Sequence, residues 1–291
     1  MMNSTLSDAK HGAVGEGEAL ALQLTSRLSA RLYQDCYPRC METSALQKGL
    51  ILTFDGKELI EEGLGFGVPV VKYRDKTYFS SLARISFGEN RSTSWATKTF
   101  VMDTVSRKKF WRLTYINDTF YSSMRKIFEK LYLRNKDLAL LFNAVMAFRE
   151  TAKIKTEFNK VRDRGVVAVT YNVQPGNVAI SVDFSNLTLE GCKELLILNE
   201  QGSTTFSTYT DTDGLKLSRR KIGAWDPVTA KTASLVNDSG NLSFSLQKLS
   251  RAHLFRGWER TRNRFSWAGL SYSLYPNQKV FNYTIKLSVP S

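Results

Sequence analysis

The sequence is poor in the residues that most often carry enzyme chemistry. It has only two histidines, His11 and His253, so a mechanism that uses histidine as acid, base or nucleophile has two candidates. Its three cysteines, Cys36, Cys40 and Cys192, are too few and odd in number for a disulfide framework. A zinc site would need ligands from distant parts of the chain. We therefore predict no metal site and a reducing, cytoplasmic location.

Long apolar segments and nucleotide-binding motifs are also missing. No segment reaches the roughly 18 uncharged apolar residues that span a bilayer, and acidic residues precede the first apolar run, unlike in a signal peptide. The densest glycine cluster, at residues 63–69, lacks the lysine–serine ending of a phosphate loop and the last glycine of a dinucleotide fingerprint. We predict a protein with no transmembrane segment and no cofactor.

Apolar residues and positive charge are plentiful. The chain of 291 residues is 42% hydrophobic, which suffices for a large core, and 41 Lys and Arg against 27 Asp and Glu give a net charge of +14. The excess is concentrated in residues 31–160 and in residues 248–291, where eight basic residues face one acidic residue. A localised excess favours an anionic partner, whereas the alternative is that the charge only keeps the protein soluble.

Strand patterns dominate the second half of the chain. Residues 166–171 and 178–184 flank the turn Gln174-Pro175-Gly176-Asn177, which predicts a hairpin. Further runs bring the total to about a dozen strands at the spacing of a sandwich, with no alternation of strands and helices. The sequence predicts a mainly β fold, a large antiparallel two-sheet β-sandwich.

Two stretches have helical spacing instead. Leucine recurs at every fourth position from Leu20 to Leu32, which predicts an amphipathic helix over residues 18–33. Asp118-Thr119 is typical of a helix start, and two apolar stripes follow it. They predict a helical hairpin at about residues 118–160.

These patterns divide the chain into a flexible tail with an amphipathic helix, residues 1–45, and one large sandwich, residues 46–291, which carries the helical insertion. With so many strands in one unit, the predicted domain resembles the large two-sheet sandwiches of sugar-binding and sugar-processing proteins of the mutarotase-like type. The resemblance is one of architecture, since no motif of that family is present, and architecture alone does not establish function.

Arginine and aromatic residues are most concentrated between residues 251 and 267. Arginine offers a planar fork to carboxylates or phosphates, and tryptophan stacks on bases or on the apolar face of a sugar. On a strand, alternate residues of this segment share one side, and a side with so many arginines should be exposed or paired with carboxylates. The predicted ligand-binding residues are Arg256, Trp258, Arg260, Arg262, Arg264 and Trp267.

A weaker set of residues could carry catalysis. Glu200 lies among amide side chains and Asp226 follows Trp225, and such groups bind hydroxyl-rich ligands. Glu259 and His253 lie within the arginine-rich segment. The catalytic candidates are therefore the three carboxylates with His253 as polar partner.

Two main functions remain open at this point. The first is a binding module that presents the segment 251–267, with Arg219, Arg220 and Lys221, to a carbohydrate or another polyanionic ligand. The second is a carbohydrate-active enzyme, such as an epimerase, lyase or hydrolase, whose candidates must converge in one pocket. Binding to nucleic-acid backbones is a third alternative, which the charge supports but no known motif does. We favour the binding module because its signal is local.

Overall fold

The computed structural model describes residues 12–13, 19–34, 46–60, 63–73, 76–89, 94–110, 155–261 and 265–289. Within these residues all regular elements are strands except one short 3-10 helix, η1 (Arg219–Ile222). No helix in this part of the chain is long and apolar enough to cross a membrane. The prediction of a mainly β, antiparallel fold is confirmed.

The strands are numbered in chain order. They are β1 (Gly12–Ala13), β2 (Ala19–Gln23), β3 (Leu28–Tyr33), β4 (Ile51–Phe54), β5 (Lys57–Glu58), β6 (Phe66–Tyr73), β7 (Lys76–Glu89), β8 (Ser94–Phe110), β9 (Lys155–Gln174), β10 (Asn177–Asp183), β11 (Cys192–Gln201), β12 (Phe206–Asp211), β13 (Lys216–Ser218), β14 (Ala224–Pro227), β15 (Thr232–Asn237), β16 (Ser243–Gln247), β17 (Ala252–Thr261), β18 (Phe265–Leu274) and β19 (Val280–Ser288). The predicted hairpin around the Gln174–Asn177 turn is the β9–β10 pair.

Fifteen of these strands form one antiparallel sheet. Its order is β13-β12-β15-β16-β19-β10-β9-β8-β7-β6-β11-β18-β17-β14, and β1 pairs with β7 beside this path. A small second sheet has the order β2-β3-β4-β5. The predicted sandwich of two large sheets is thus replaced by one long sheet and one small one. Residue periodicity identifies strands, but it does not specify which of them pair.

The long sheet curls until its two ends meet. Its edge strands β13 and β14 follow one another in the chain and are joined by η1. Across this junction, the guanidinium of Arg256 on β17 lies over the ring of Tyr209 on β12, 5.0 Å from its centroid. Val228 continues the pairing with β17 beyond the end of β14, because its N–H donates to the carbonyl of Leu254. We call this junction of β12, β13, η1, β14 and β17 the seam.

One apolar core fills the inside of the curled sheet. Alternation along the strands produces this core, because every second side chain points inwards. In β19, for example, the residues alternate strictly between buried and exposed. Phe244 packs edge-on against Phe66 and Phe206, with ring centroids 5.0 and 4.9 Å apart, and so links distant strands across the core. The small sheet adds its leucines to the same core.

The predicted N-terminal helix over residues 18–33 is wrong, because this stretch forms strands β2 and β3, paired from Ala19↔Tyr33 to Gln23↔Ser29. A spacing of four is also a multiple of two, so leucines at every fourth residue share one face of a strand as readily as one face of a helix. Residues 155–160, expected to end the helical hairpin, belong to strand β9. Residues 118–154 of that predicted hairpin lie outside the described residues.

Candidate functional site

The segment rich in arginine and tryptophan forms the paired strands β17 and β18. Its alternation places Trp258 towards the core, where the indole is buried and donates its Nε1–H to the carbonyl of Ser203 at 3.3 Å. Arg256 lies on the same side, and Arg260 is exposed. Arg262 and Arg264 lie outside the described residues. The segment is therefore a structural strand pair on one side, and its predicted binding residues do not form one continuous exposed row.

Arg256 binds the parts of the seam to one another. Its Nε donates to the carbonyl of Ile222 and its Nη1 to the carbonyl of Pro227, both at 3.0 Å. Its Nη2 lies 3.7 Å from the carboxylate of Asp226. With three protein partners and Tyr209 beneath the guanidinium, this side chain has a clear structural role in joining η1 and β14 to β17.

Two tryptophans are stacked on the opposite face of the sheet. Trp225 of β14 and Trp267 of β18 have ring centroids 4.9 Å apart and planes 25° from parallel. Trp267 is buried and lies over Gly257, where a Cβ would come within 2.6 Å of the indole ring. Trp225 is 39% exposed. The pair presents an aromatic surface supported from below by a fixed ring.

The backbone of Trp225 is in an unusual conformation. Its φ of 67° lies in the left-handed region, which a bulky side chain adopts at a cost of about 1 to 3 kcal/mol. Such conformations concentrate at functional positions, where the surrounding structure holds them in place. Here the pairing of Ala224 with Gly257 and of Asp226 with Arg256 fixes the chain on both sides.

Exposed basic side chains lie on the seam and at the ends of the adjoining strands. They are Lys216 on β13, Arg219, Arg220 and Lys221 in η1, Lys231 and Lys248 beside β15 and β16, and Arg251 before β17. Together with Trp225 they are called the seam surface below. The acidic residues on these elements or in the turns beside them are Asp211, Asp213, Asp226, Asp238 and Glu259, and Asp238 is 3.8 Å from Arg219. Among the residues that the structure describes, no carboxylate lies within 4.0 Å of Arg220 or Lys221 to form an ion pair.

Of the catalytic candidates, Glu200 has the most perturbed environment. Burial raises the pKa of its carboxyl to about 7, against the hydrogen bond that its Oε2 accepts from the N–H of Leu64 at 3.0 Å and the nearby charge of Lys48. Glu259 adds a smaller upward contribution to the pKa. A pKa near neutrality suits proton transfer, but a structural carboxyl can have the same value.

The neighbours of Glu200 on β11 are used for attachment rather than for ligand contact. The side chain of Gln201 accepts from the N–H of Leu52 and donates to the carbonyl of Leu50, both at 3.2 Å. Asn199 accepts from the N–H of Gly67 at 3.0 Å. This polar run therefore joins the segment before and within β4, and the start of β6, to β11.

The four catalytic candidates do not converge. His253 is exposed and its Nε2 lies 3.1 Å from the hydroxyl of Tyr275. It shares the face of Glu200, but the strand register separates the two by four residues along the sheet and by two strands, about 13 Å and about 10 Å. Glu259 lies six residues from His253 on the same strand, and Asp226 contacts Arg256 instead. No histidine–carboxylate pair forms from this set.

A metal site is equally unsupported within the described part of the chain, where no group of three or more His, Cys, Asp or Glu side chains could hold an ion. Cys192 is a free cysteine, and burial raises the pKa of its thiol. A raised pKa keeps the thiol protonated and poorly reactive at neutral pH. Cys36 and Cys40 lie outside the described residues.

Comparison with known proteins adds little to this geometry. No protein-family model and no curated protein matches the sequence. Among solved structures, the Slr1438 protein from Synechocystis sp. PCC 6803 is similar, at 8% identity, over 99% of this chain and 100% of that chain, with a TM-score of 0.39. A similarity of this size carries no argument about function, which must be argued from the surface itself.

Proposed function

We propose that the protein binds an anionic polymer and that the seam surface is its binding site. The observation that carries the proposal is the exposed indole of Trp225, held in a left-handed backbone conformation and stacked on Trp267, beside the exposed cations of η1. Arginine and lysine supply the affinity for an anion, and an aromatic surface adds contact with the flat part of a repeating unit.

The charge of the seam surface supports this proposal. Seven exposed Lys and Arg side chains lie on neighbouring elements, and the four aspartates on and beside these elements, with Glu259 of β17, offset them only in part. A polymer can contact several of them at once, whereas a small anion reaches one or two. Catalysis has no comparable support, because Glu200 and His253 do not come together.

Reversing two charges in η1 is expected to weaken binding of the polymer. In the variant Arg220→Glu with Lys221→Glu, two exposed cations without a described ion-pair partner become anions, so the affinity for heparin or for an oligonucleotide should fall at least about tenfold at low salt. Fluorescence anisotropy at two salt concentrations measures this. Binding of the unchanged protein should weaken as salt is raised.

The matched control is Lys57→Glu with Arg84→Glu. Both residues are exposed, on β5 and β7, away from the seam, and the double variant has the same net charge as the η1 variant. If the two variants lose the same affinity, only total charge matters and the seam surface is not a site. Failure of the unchanged protein to bind either polymer would refute the proposed function as a whole.

A further inference from the structure

We infer that the anionic polymer is a single-stranded nucleic acid, with one base stacked on Trp225 and the neighbouring phosphates bound by η1. This inference rests on the proposed function and specifies its ligand. The sequence carries no nucleic-acid-binding motif, because the surface combines residues from separate segments of the chain. The seam surface combines an aromatic platform with cations within reach of it. The strand that carries Trp225 has few groups that could bind sugar hydroxyls.

The aromatic platform is built before any ligand arrives. Trp267 cannot shift towards the sheet, because its indole already lies against the backbone of Gly257, and Trp225 covers its other side at 4.9 Å. Trp225 remains 39% exposed although Trp267 is stacked on it. A base that stacks there extends an existing stack of two rings, and the ordering of the protein side chains has already occurred on folding.

Two cations of η1 lie close to Trp225 in the chain. Lys221 precedes Trp225 by four residues, so their Cα atoms are at most about 14 Å apart. Arg220 and Lys221 are exposed, and the seam surface continues to Lys231 and Arg251. A strand whose base lies on Trp225 can therefore place its adjacent phosphates on η1, and further phosphates along the seam.

The groups beside Trp225 fit a sugar polymer less well. Recognition of sugar hydroxyls needs free carboxylates or amides around the aromatic ring. The carboxylate on β14, that of Asp226, is folded back over Gly223 and lies 3.7 Å from Arg256. The other side chains of β14 are Ala224 and Pro227. β14 thus offers a flat π system and no amide, and its one carboxylate faces Arg256, while Glu259 of β17 lies opposite Trp267 on the same face of the sheet.

The test compares two oligonucleotides that differ only in the base, with heparin as a third polyanion. The full-length protein is titrated with a labelled oligothymidylate, with an abasic oligonucleotide of the same length and charge, and with heparin. We expect the oligothymidylate to bind at least about tenfold more tightly than the abasic strand, since a stacked base contributes that much in such sites. The variant Trp225→Ala should remove this difference, and Trp225→Phe should keep most of it.

The outcomes separate this inference from the proposed function. If all three polymers bind equally and Arg220→Glu with Lys221→Glu weakens all of them, the seam surface binds polyanions and the base-stacking inference is wrong. Preference for heparin over both oligonucleotides would also overturn it, in favour of a polysaccharide ligand. If nothing binds, both proposals fail. The comparison of ligands needs no variant, so it decides the question even if Trp225→Ala does not fold.

Discussion

Replacing Gly49 by alanine is expected to lower the free energy of unfolding by about 3 kcal/mol or more. A Cβ at this position would overlap the carbonyl oxygen of Phe66 and lie 2.8 Å from its carbonyl carbon and 3.0 Å from Cγ2 of Val68. The obstacle is backbone at the start of β6, so it cannot turn aside as a side chain would. Relief requires Gly49 to move away from Phe66.

That movement would break the attachment between the two sheets. Gly49 donates its N–H to the carbonyl of Leu64 at 2.8 Å, and Leu50 and Phe66 exchange two backbone hydrogen bonds at 2.8 and 2.9 Å. Urea unfolding followed by circular dichroism measures the loss, and the slope of the transition should stay unchanged if only the native state is affected.

Gly56→Ala is the matched control for Gly49→Ala. Gly56 has a φ of 77°, and no atom lies within 4 Å of its hypothetical Cβ, so the same substitution carries a conformational cost of roughly 1 kcal/mol and no overlap. Equal losses in the two variants would show that the contact between Gly49 and Phe66 is not tight.

Replacing Glu200 by glutamine is expected to stabilise the protein above neutral pH. The pKa of this carboxyl is about 7 in the folded protein and 4.5 in an exposed carboxyl, because burial disfavours the ionised form. Between these values the folded state binds the proton more tightly than the unfolded chain. The stability that this proton contributes is present below pH 4.5 and is lost as the pH rises through 7.

The size of the effect follows from the two pKa values. Their difference corresponds to roughly 3 kcal/mol, so at pH 9 the free energy of unfolding of Glu200→Gln should exceed that of the unchanged protein by up to that amount. At pH 4.5 the two proteins should have nearly equal free energies of unfolding. Glutamine keeps an oxygen that accepts the N–H of Leu64. Thermal or urea unfolding across this pH range measures the difference, and a variant equally destabilised at every pH would contradict the expectation.

Glu194→Gln provides a control of opposite sign on the same strand. Partial burial by itself would raise the pKa of Glu194, but the hydrogen bonds from Lys72 and Ser273 outweigh it and lower the pKa below the usual 4.5. Its ionised form therefore stabilises the folded state above that value, and the contribution is lost as the pH falls through the lowered pKa. This variant should be less stable than the unchanged protein at neutral pH.

Local sequence signals predicted the mainly β fold and the β9–β10 hairpin correctly. Asp55-Gly56 forms the β4–β5 turn with φ values of 48° and 77°, as expected of a two-residue hairpin turn whose central residues are both left-handed. The predicted Gln174–Asn177 turn is confirmed, and its left-handed residue is Gly176, with a φ of 75°. The helix predicted from the leucines of residues 18–33 is wrong, because their spacing satisfies a strand and a helix equally.

The candidate site was harder to predict than the strands. The segment 251–267 pointed to binding residues, but alternation along β17 turns Arg256 and Trp258 towards the seam and the core. Trp225 was noted only as a neighbour of carboxylates. The left-handed backbone at Trp225 has no sequence signal, since neither glycine nor asparagine occupies the position.

Alternation, turn residues and charge are local properties, so the linear pattern of residues is enough to show a basic chain that is rich in antiparallel strands and has no motif of a known cofactor site. The position of the charge in space depends on the fold. Residues 161–247 hold eight basic and nine acidic residues and so are nearly neutral. Curling of the sheet brings five of those basic residues together with Lys248 and Arg251 at the seam. Strand pairing between distant segments sets that arrangement, and a linear pattern does not encode it.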